Sequence, residues 1–216
     1  MPFRVNAVLY PGFEMLDLFG PLEMFSMLGE DCEIVTVAEN AGAVASAKAA
    51  AVGAGPQVIA ERSFADAEPA DLLLLPGGFG TIPELENEAL LQFLRTQANT
   101  AQYVASVCTG SALLAKAGLL DGKKATSNKQ FFALAEQQSD AVDWQTAARW
   151  VQDGQFFTSS GVSAGMDMAI AIIDQHFGPE VRTQVTEGVE YVWQEDPGSD
   201  PFVGSLNAGA RALGMV

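Results

Sequence analysis

The chain has 216 residues, 49% of them apolar, which is the length and composition of one larger α/β domain with a sizeable buried core. Its 11 Lys and Arg against 27 Asp and Glu leave a formal net charge of −16. Such a surface repels phosphate backbones and anionic lipids, so neither a nucleic-acid nor a membrane partner is expected. No apolar run approaches the ~18 residues of a membrane span, and the opening MPFRVNAVLYPGF reads as a strand rather than a signal peptide. Two cysteines, Cys32 and Cys108, do not make a disulfide framework, so a reduced cytoplasm is the expected setting.

Arg4–Tyr10 is the first predicted strand, ended by Pro11-Gly12. A helical pattern follows from Glu14 to Leu28, with Leu16, Phe19, Met24, Phe25 and Leu28 expected to face inward. Pro21 within it predicts a kink, or a short helix leading into a second. Glu33–Ala38 is a second strand, and the Ala- and Gly-rich Asn40–Gly55 suits a small β excursion. Asp71–Leu75 is a continuous apolar run before Pro76-Gly77-Gly78, the mark of a buried central strand. Pro83–Ala98 is predicted helical, with Leu85, Leu90, Leu91 and Leu94 on one face. Lys123–Thr126 reads as a short strand, Gln130–Gln138 as a helix, and Trp150–Ser159, broken at Asp153-Gly154, as a β-hairpin. Ser163–Phe177 is an apolar helix ending at Gly178, Pro179–Trp193 begins a last helix, and Gln194–Val216 reads mostly as loop. Alternating strands and helices predict a three-layer α/β sandwich, and no linker, repeat or low-complexity segment divides residues 1–216.

The chemistry centres on Ala101–Leu120. The β-branched run around Tyr103, Val104 and Val107 breaks at Cys108-Thr109-Gly110-Ser111 and continues as an Ala/Leu helix. A strand, a tight turn holding one nucleophile and a helix make a nucleophile elbow, with Ser106 and Gly110 as its small residues. A cysteine beside a helix N-terminus is expected to have its pKa lowered from about 8.5 into the range of roughly 3.5–7.5. Ligands in open α/β sheets bind beyond the carboxyl ends of the strands, where Pro11–Asp17, Pro76–Gly80 and Cys108–Thr109 meet. The Gly77 and Gly78 N–H groups, with that of Thr109, could form an oxyanion hole. Asp17 and Glu14 are the candidate carboxylates beside the thiol; Asp17, set among Met15, Leu16, Leu18 and Phe19, is the harder to explain as surface. A like charge would raise its pKa and let it carry a proton at neutral pH. The one histidine, His176, ends an apolar helix, where a structural role is expected. With no imidazole near the elbow, a Cys-His-acid triad is not expected. One Cys and one His far apart suggest no metal site, and without a GxGxxG or P-loop no nucleotide cofactor is expected.

On these residues the chain resembles the ThiJ/PfpI superfamily of class I glutamine-amidotransferase-like folds. The resemblance runs through YPGFEMLDLFGPLEMF, LLLLPGGFGT, SVCTGSALLAKAGLLDGKKAT, FFTSSGVSAGMDMAIAIID and VEYVWQEDPGSDPF. Its finer motifs point to the branch of the isonitrile hydratases and the amidotransferase-like domains of certain AraC-type regulators. The sequence reaches Val216 without a helix-turn-helix pattern, so an enzyme is expected rather than a DNA-binding regulator. The resemblance implies a flavodoxin-like, mostly parallel sheet, no cofactor, a small-molecule substrate and a homodimer, for which the apolar Leu16–Leu28 segment could supply the interface. It implies Asp17, Cys108 and Thr109 as the catalytic residues of a carbon–nitrogen hydro-lyase. An apolar pocket drawn from Phe13, Phe79 and Ile82 is expected to admit a hydrocarbon substrate. Asn128 stands where the superfamily often has His, which argues against peptidase activity. Glyoxalase or deglycase chemistry and a cysteine redox sensor are the alternative roles.

Overall fold

The apolar runs of the sequence become the middle strands of one sheet. The computed structural model describes residues 1–47 and 54–216. Its first half contains β1 (Phe3–Val8), α1 (Met15–Ser26), β2 (Cys32–Ala38), the hairpin β3 (Gly42–Ala47) and β4 (Ala54–Ala60), β5 (Arg62–Ser63) and β6 (Leu72–Leu75). Then come α2 (Thr81–Glu84), α3 (Glu88–Ala98), β7 (Tyr103–Ser106), α4 (Gly110–Lys116), β8 (Lys124–Ala125), α5 (Phe132–Glu136) and β9 (Asp143–Trp144). The last part holds β10 (Trp150–Asp153), β11 (Phe156–Ser159), α6 (Ala164–Phe177), α7 (Pro179–Gly188) and α8 (Ala208–Ala212).

The main sheet has the order β10-β11-β7-β6-β1-β2-β5 and is parallel except where β10 runs back along β11. Leu72–Leu75 sits in the middle, buried on both faces as its unbroken apolar run predicts. Helices α1, α6 and α7 pack together on one face, and α3, α4 and α5 on the other, which makes the three-layer sandwich. β1 continues through α1 to β2 on one side and lies beside β6 on the other. The chain therefore reverses its direction of travel across the sheet at β1 and β6. Their carboxyl ends open a crevice, the place where sheets of this kind hold ligands.

Several elements differ from the sequence expectation. Helix α1 is continuous through Pro21, whose ring is buried against α6 so closely that a Cβ on Gly165 would lie 3.2 Å from its Cγ. Leu18 and Leu22 turn inward with Met24 and Phe25, whereas Leu16 and Phe19 face out, Phe19 46% exposed. The helix expected over Pro83–Ala98 is two, because Asn87 caps α3 by accepting the Leu90 N–H at 3.2 Å. Leu85, Leu90, Leu91 and Leu94 are buried as expected. The β excursion is the β3–β4 hairpin, although 48–53 lie outside the described residues. Strand β8 pairs with the two-residue β9 outside the main sheet.

The tail departs most. Helix α7 stops at Gly188, and the segment beyond is tied to a buried charge cluster. Asp167 on α6 accepts the Arg149 guanidinium (Nε at 2.7 Å), the Tyr191 hydroxyl and the Gln194 N–H, while its carbonyl takes the Trp193 indole N–H. Arg149 also faces the buried Asp200 at 4.0 Å. The tail is thus held by ionic hydrogen bonds at one end and by the buried Ala210 of α8 at the other. Removing one partner of a buried pair leaves the other charge uncompensated. Asp167→Ala is expected to lower stability by about 3–5 kcal/mol in urea unfolding and to open the segment after Gly188 to limited proteolysis; an unchanged midpoint and cleavage pattern would contradict this anchoring.

Candidate active site

Strand β7 delivers Cys108 to the crevice and α4 leads away from it. Cys108 has φ 59°, in the left-handed region, a strain of about 1–3 kcal/mol that the surroundings must hold. Its N–H is held by two carbonyls, those of Ser159 at 3.2 Å and Ser160 at 3.0 Å. Gly110 is obligatory behind it: a Cβ there would lie 2.7 Å from the Leu75 carbonyl oxygen and 2.8 Å from that of Pro76. This is the expected elbow, and its nucleophile is buried.

Burial reverses the expected acidity of the thiol. Exclusion of water pushes the Cys108 pKa well above its ordinary value, and the nearby Asp17 charge pushes the same way. The N–H of Thr109, the Asn128 amide and the N–H of Val162 pull it down, but less. The seven-residue α4 does not outweigh burial. Asp17 is wholly buried, and burial raises its carboxyl to about 8, opposed by the Gly77 N–H at 3.0 Å and by a hydrogen bond from Cys108. Its other oxygen, Oδ1, has no protein partner. Burial thus favours the protonated form of both groups, the Asp17 charge adds to this at the thiol while the Cys108 hydrogen bond favours the carboxylate, and a pair in such contact titrates as a unit.

The Gly77-Gly78 turn serves this pair differently from the oxyanion role expected of it. The Gly77 N–H goes to Asp17, and the Gly78 N–H goes to Thr109 Oγ1 at 3.0 Å. Gly77 packs so tightly that an added Cβ would fall 2.5 Å from the Thr109 nitrogen. Thr109 Oγ1 also lies 2.9 Å from Thr81 Oγ1, and Thr81 lies 3.1 Å from the Tyr10 hydroxyl, which donates to the Pro76 carbonyl at 2.7 Å. This buried hydroxyl chain joins β1, α2 and the elbow. Sequence gave no reason to single out Tyr10 or Thr81, since isolated hydroxyls show no pattern.

Asn128 acts directly on the nucleophile. Its Nδ2 donates to Cys108 Sγ at 3.0 Å, while its Oδ1 accepts the N–H groups of Gln130 and Phe131 at 2.9 and 3.1 Å. Those two bonds fix which end of the amide meets the sulfur. The Asn128 amide is thus a donor to the sulfur that cannot take a proton from it. His176 lies at the other end of β7, against Phe3, Tyr103 and Phe177, with ring centroids 4.6 Å from Phe3, and so is structural as expected. Glu14 is only half-buried; its N–H donates to the Gly77 carbonyl at 2.7 Å. Phe79 and Ile82 are partly exposed, with Phe79 edge-on to Phe131 at 5.7 Å. Phe13 differs from expectation: it is wholly buried in the core and offers no pocket wall. Among the described residues no cluster of three or more His, Cys, Asp or Glu is placed to hold a metal ion.

A family model, DJ-1/PfpI family, matches residues 3–175, across the sheet and the elbow. The chain belongs to the DJ-1/PfpI family. It is 34% identical over 191 residues to the isonitrile hydratase of Pseudomonas putida, covering 88% of this chain and 79% of that one. It is 32% identical over 133 residues to the HTH-type transcriptional regulator GbdR of Pseudomonas aeruginosa, covering 62% of this chain but 36% of the regulator. The crystal structure of a ThiJ/PfpI family protein from Pseudomonas syringae superposes with a TM-score of 0.80 at 27% identity, over 100% of this chain and 86% of that one. Among the described residues of this DJ-1/PfpI protein, no helix is long and apolar enough to cross a membrane.

A raised carboxyl has a signed effect on stability. An unfolded Asp17 ionises near its ordinary pKa of 3.8, whereas the folded one keeps its proton to about 8. The native state therefore binds the extra proton between those values and loses stability as pH rises through that window. Asp17→Asn, which cannot ionise, is expected to unfold at higher denaturant than the parent at about pH 8, with the gap closing toward about pH 4. A gap that stays constant over that range would contradict the buried acid.

Proposed function

We propose that this protein hydrates isonitriles, R–N≡C, to N-substituted formamides through a thioimidate on Cys108. The observation that carries the reading is a buried thiol hydrogen-bonded to a buried carboxyl, with an amide and no imidazole beside the sulfur. Proteolysis and amide transfer call for a base that also protonates a leaving amine. An isonitrile has no leaving group; it needs a soft nucleophile for its terminal carbon and an acid to protonate that carbon. The 34% identity to an isonitrile hydratase supports the same reading.

The steps balance with one proton passed back and forth. A proton from the pair sits on Asp17 as Cys108 attacks, forming the S–C bond. The resulting carbanionic carbon takes that proton, giving R–N=CH–S–Cys. Asp17, now a carboxylate, takes a proton from water as the water oxygen adds to the same carbon and hands that proton to the imine nitrogen, giving R–NH–CH(OH)–S–Cys and leaving Asp17 ionised again. The tetrahedral adduct expels the Cys108 thiolate as R–NH–CHO forms and passes its hydroxyl proton back to the pair. The Asn128 amide and the N–H groups of Thr109 and Val162 stabilise the sulfur whenever it carries charge. Thr109, fixed through Thr81 and Gly78, holds the turn that carries the Gly77 N–H to Asp17.

Turnover of cyclohexyl isocyanide, followed by formamide absorbance, is the direct test. The parent protein is expected to turn over and Cys108→Ala to fall to the buffer rate. Asp17→Asn is expected to lose on the order of 10²–10⁴-fold in kcat, the usual contribution of a positioned acid–base group. No turnover by the parent, or undiminished turnover in Cys108→Ala, would contradict the proposal.

A further inference from the structure

Three residues in contact with Cys108 also line a cavity of about 210 Å³: Asn128, whose amide reaches the sulfur, Val162, whose N–H points to it, and Ser160, whose carbonyl accepts the Cys108 N–H. The cavity therefore lies against the residues that hold the sulfur, Cys108 itself not being part of its lining. Phe202 and Ser205 complete its wall, and they come from the tail, beyond the 3–175 stretch that the family model covers. The shared part of the chain builds the nucleophile, and a further segment shapes the space next to it.

That segment is fixed in place. The Phe202 N–H donates to Asp200 Oδ1 at 2.8 Å, and the Ser205 hydroxyl donates to the Phe202 carbonyl at 2.8 Å. Asp200 is itself buried, its N–H on the Ala147 carbonyl at 2.9 Å. Just beyond, the Asn207 N–H donates to the Lys129 carbonyl at 2.7 Å and the Ala210 N–H to that of Gln130 at 3.0 Å. The wall is thus tied to the strip that carries Asn128. Phe202 remains 59% exposed on this backbone, a large ring left with a free face beside a cavity. An apolar residue anchored by buried groups yet uncovered itself is placed to meet a ligand.

We propose that Phe202 is a specificity-determining residue, whose ring limits the size of the substituent carried by an electrophile bound at Cys108. Taken with the isonitrile reading, on which the substrate name rests, this makes compact hydrocarbon isonitriles the substrates and excludes bulky ones. The wall itself can be read without that chemistry, by alkylation of Cys108.

The test compares the full chain with Phe202→Ala, Phe202→Leu and Phe202→Trp. One arm measures kcat/KM for tert-butyl and 1-adamantyl isocyanide. The other measures alkylation of Cys108 by iodoacetamide and by N-(1-pyrenyl)maleimide, read by mass spectrometry on the Cys108 peptide so that Cys32 does not contribute. Phe202→Ala is expected to raise the bulky-to-compact ratio about tenfold or more in both arms, Phe202→Leu less, and Phe202→Trp to lower it. Ratios that stay within about twofold of the parent in both arms would overturn the wall, whether or not turnover is present. A shifted alkylation ratio without isonitrile turnover by the parent would uphold the wall and overturn the isonitrile reading. Phe202→Leu keeps the wall testable should the alanine variant fold poorly.

Discussion

Asp17 and Cys108 compete for protons in a buried space, and the rest of the site is arranged around that competition. Two anionic groups side by side in a low-dielectric pocket repel strongly, and each loses its hydration besides. Burial, helped by the Glu14 charge, raises Asp17 to about 8, and burial with the Asp17 charge sends the thiol well above its ordinary range. The donors that face the pair are few and each is tied down: Gly77 N–H on the carboxylate, and Asn128, Thr109 and Val162 on the sulfur. None of the named donors can accept the proton in return. A site built this way can pass one proton between acid and nucleophile.

The fold supplies this arrangement through close backbone approach. β1 and β6 part at the carboxyl end of the sheet, α1 brings Asp17 down into the gap, and the Gly77-Gly78 turn closes over it. Cβ atoms at Gly77 or Gly110 would run into the backbone of a neighbouring segment, so these glycines set how near the elbow, the turn and the carboxylate can come. The left-handed Cys108 is part of the same geometry: its strain is held by two carbonyls on its N–H. On the far side, the Arg149–Asp167 pair ties down the chain that carries Phe202.

Much of this was legible in the residues. The unbroken LLLL run, the elbow pattern around Cys108 and an aspartate embedded among apolar side chains each identify themselves locally. Other features were hidden because their causes are remote in sequence. α1 is apolar nearly all round, so periodicity could not say that Leu18 turns in and Phe19 out; the packing of α6 decides it. Asn87 looked like a mid-helix residue until its side chain capped α3. Helix-terminus logic gave the wrong direction for the Cys108 pKa, since the strip at Ser160–Val162 and Asn128 that shuts out water lies 20 or more residues away. Tyr10 and Thr81 carry no signature at all, because a hydroxyl chain exists only once three segments meet. The Gly- and Pro-rich tail looked like loop, yet its backbone N–H groups at Gln194 and Phe202 are tied to the buried Asp167 and Asp200.

The proton sharing between Asp17 and Cys108 is tested most directly by the pH dependence of Cys108 alkylation, followed peptide by peptide in the parent and in Asp17→Asn. A coupled pair predicts a drawn-out titration in the parent, completed only when the second proton leaves. Without the neighbouring charge, Asp17→Asn is predicted to give a single step that is complete at lower pH than in the parent. Superimposable profiles would show that the two groups do not sense each other's charge, and would contradict the account.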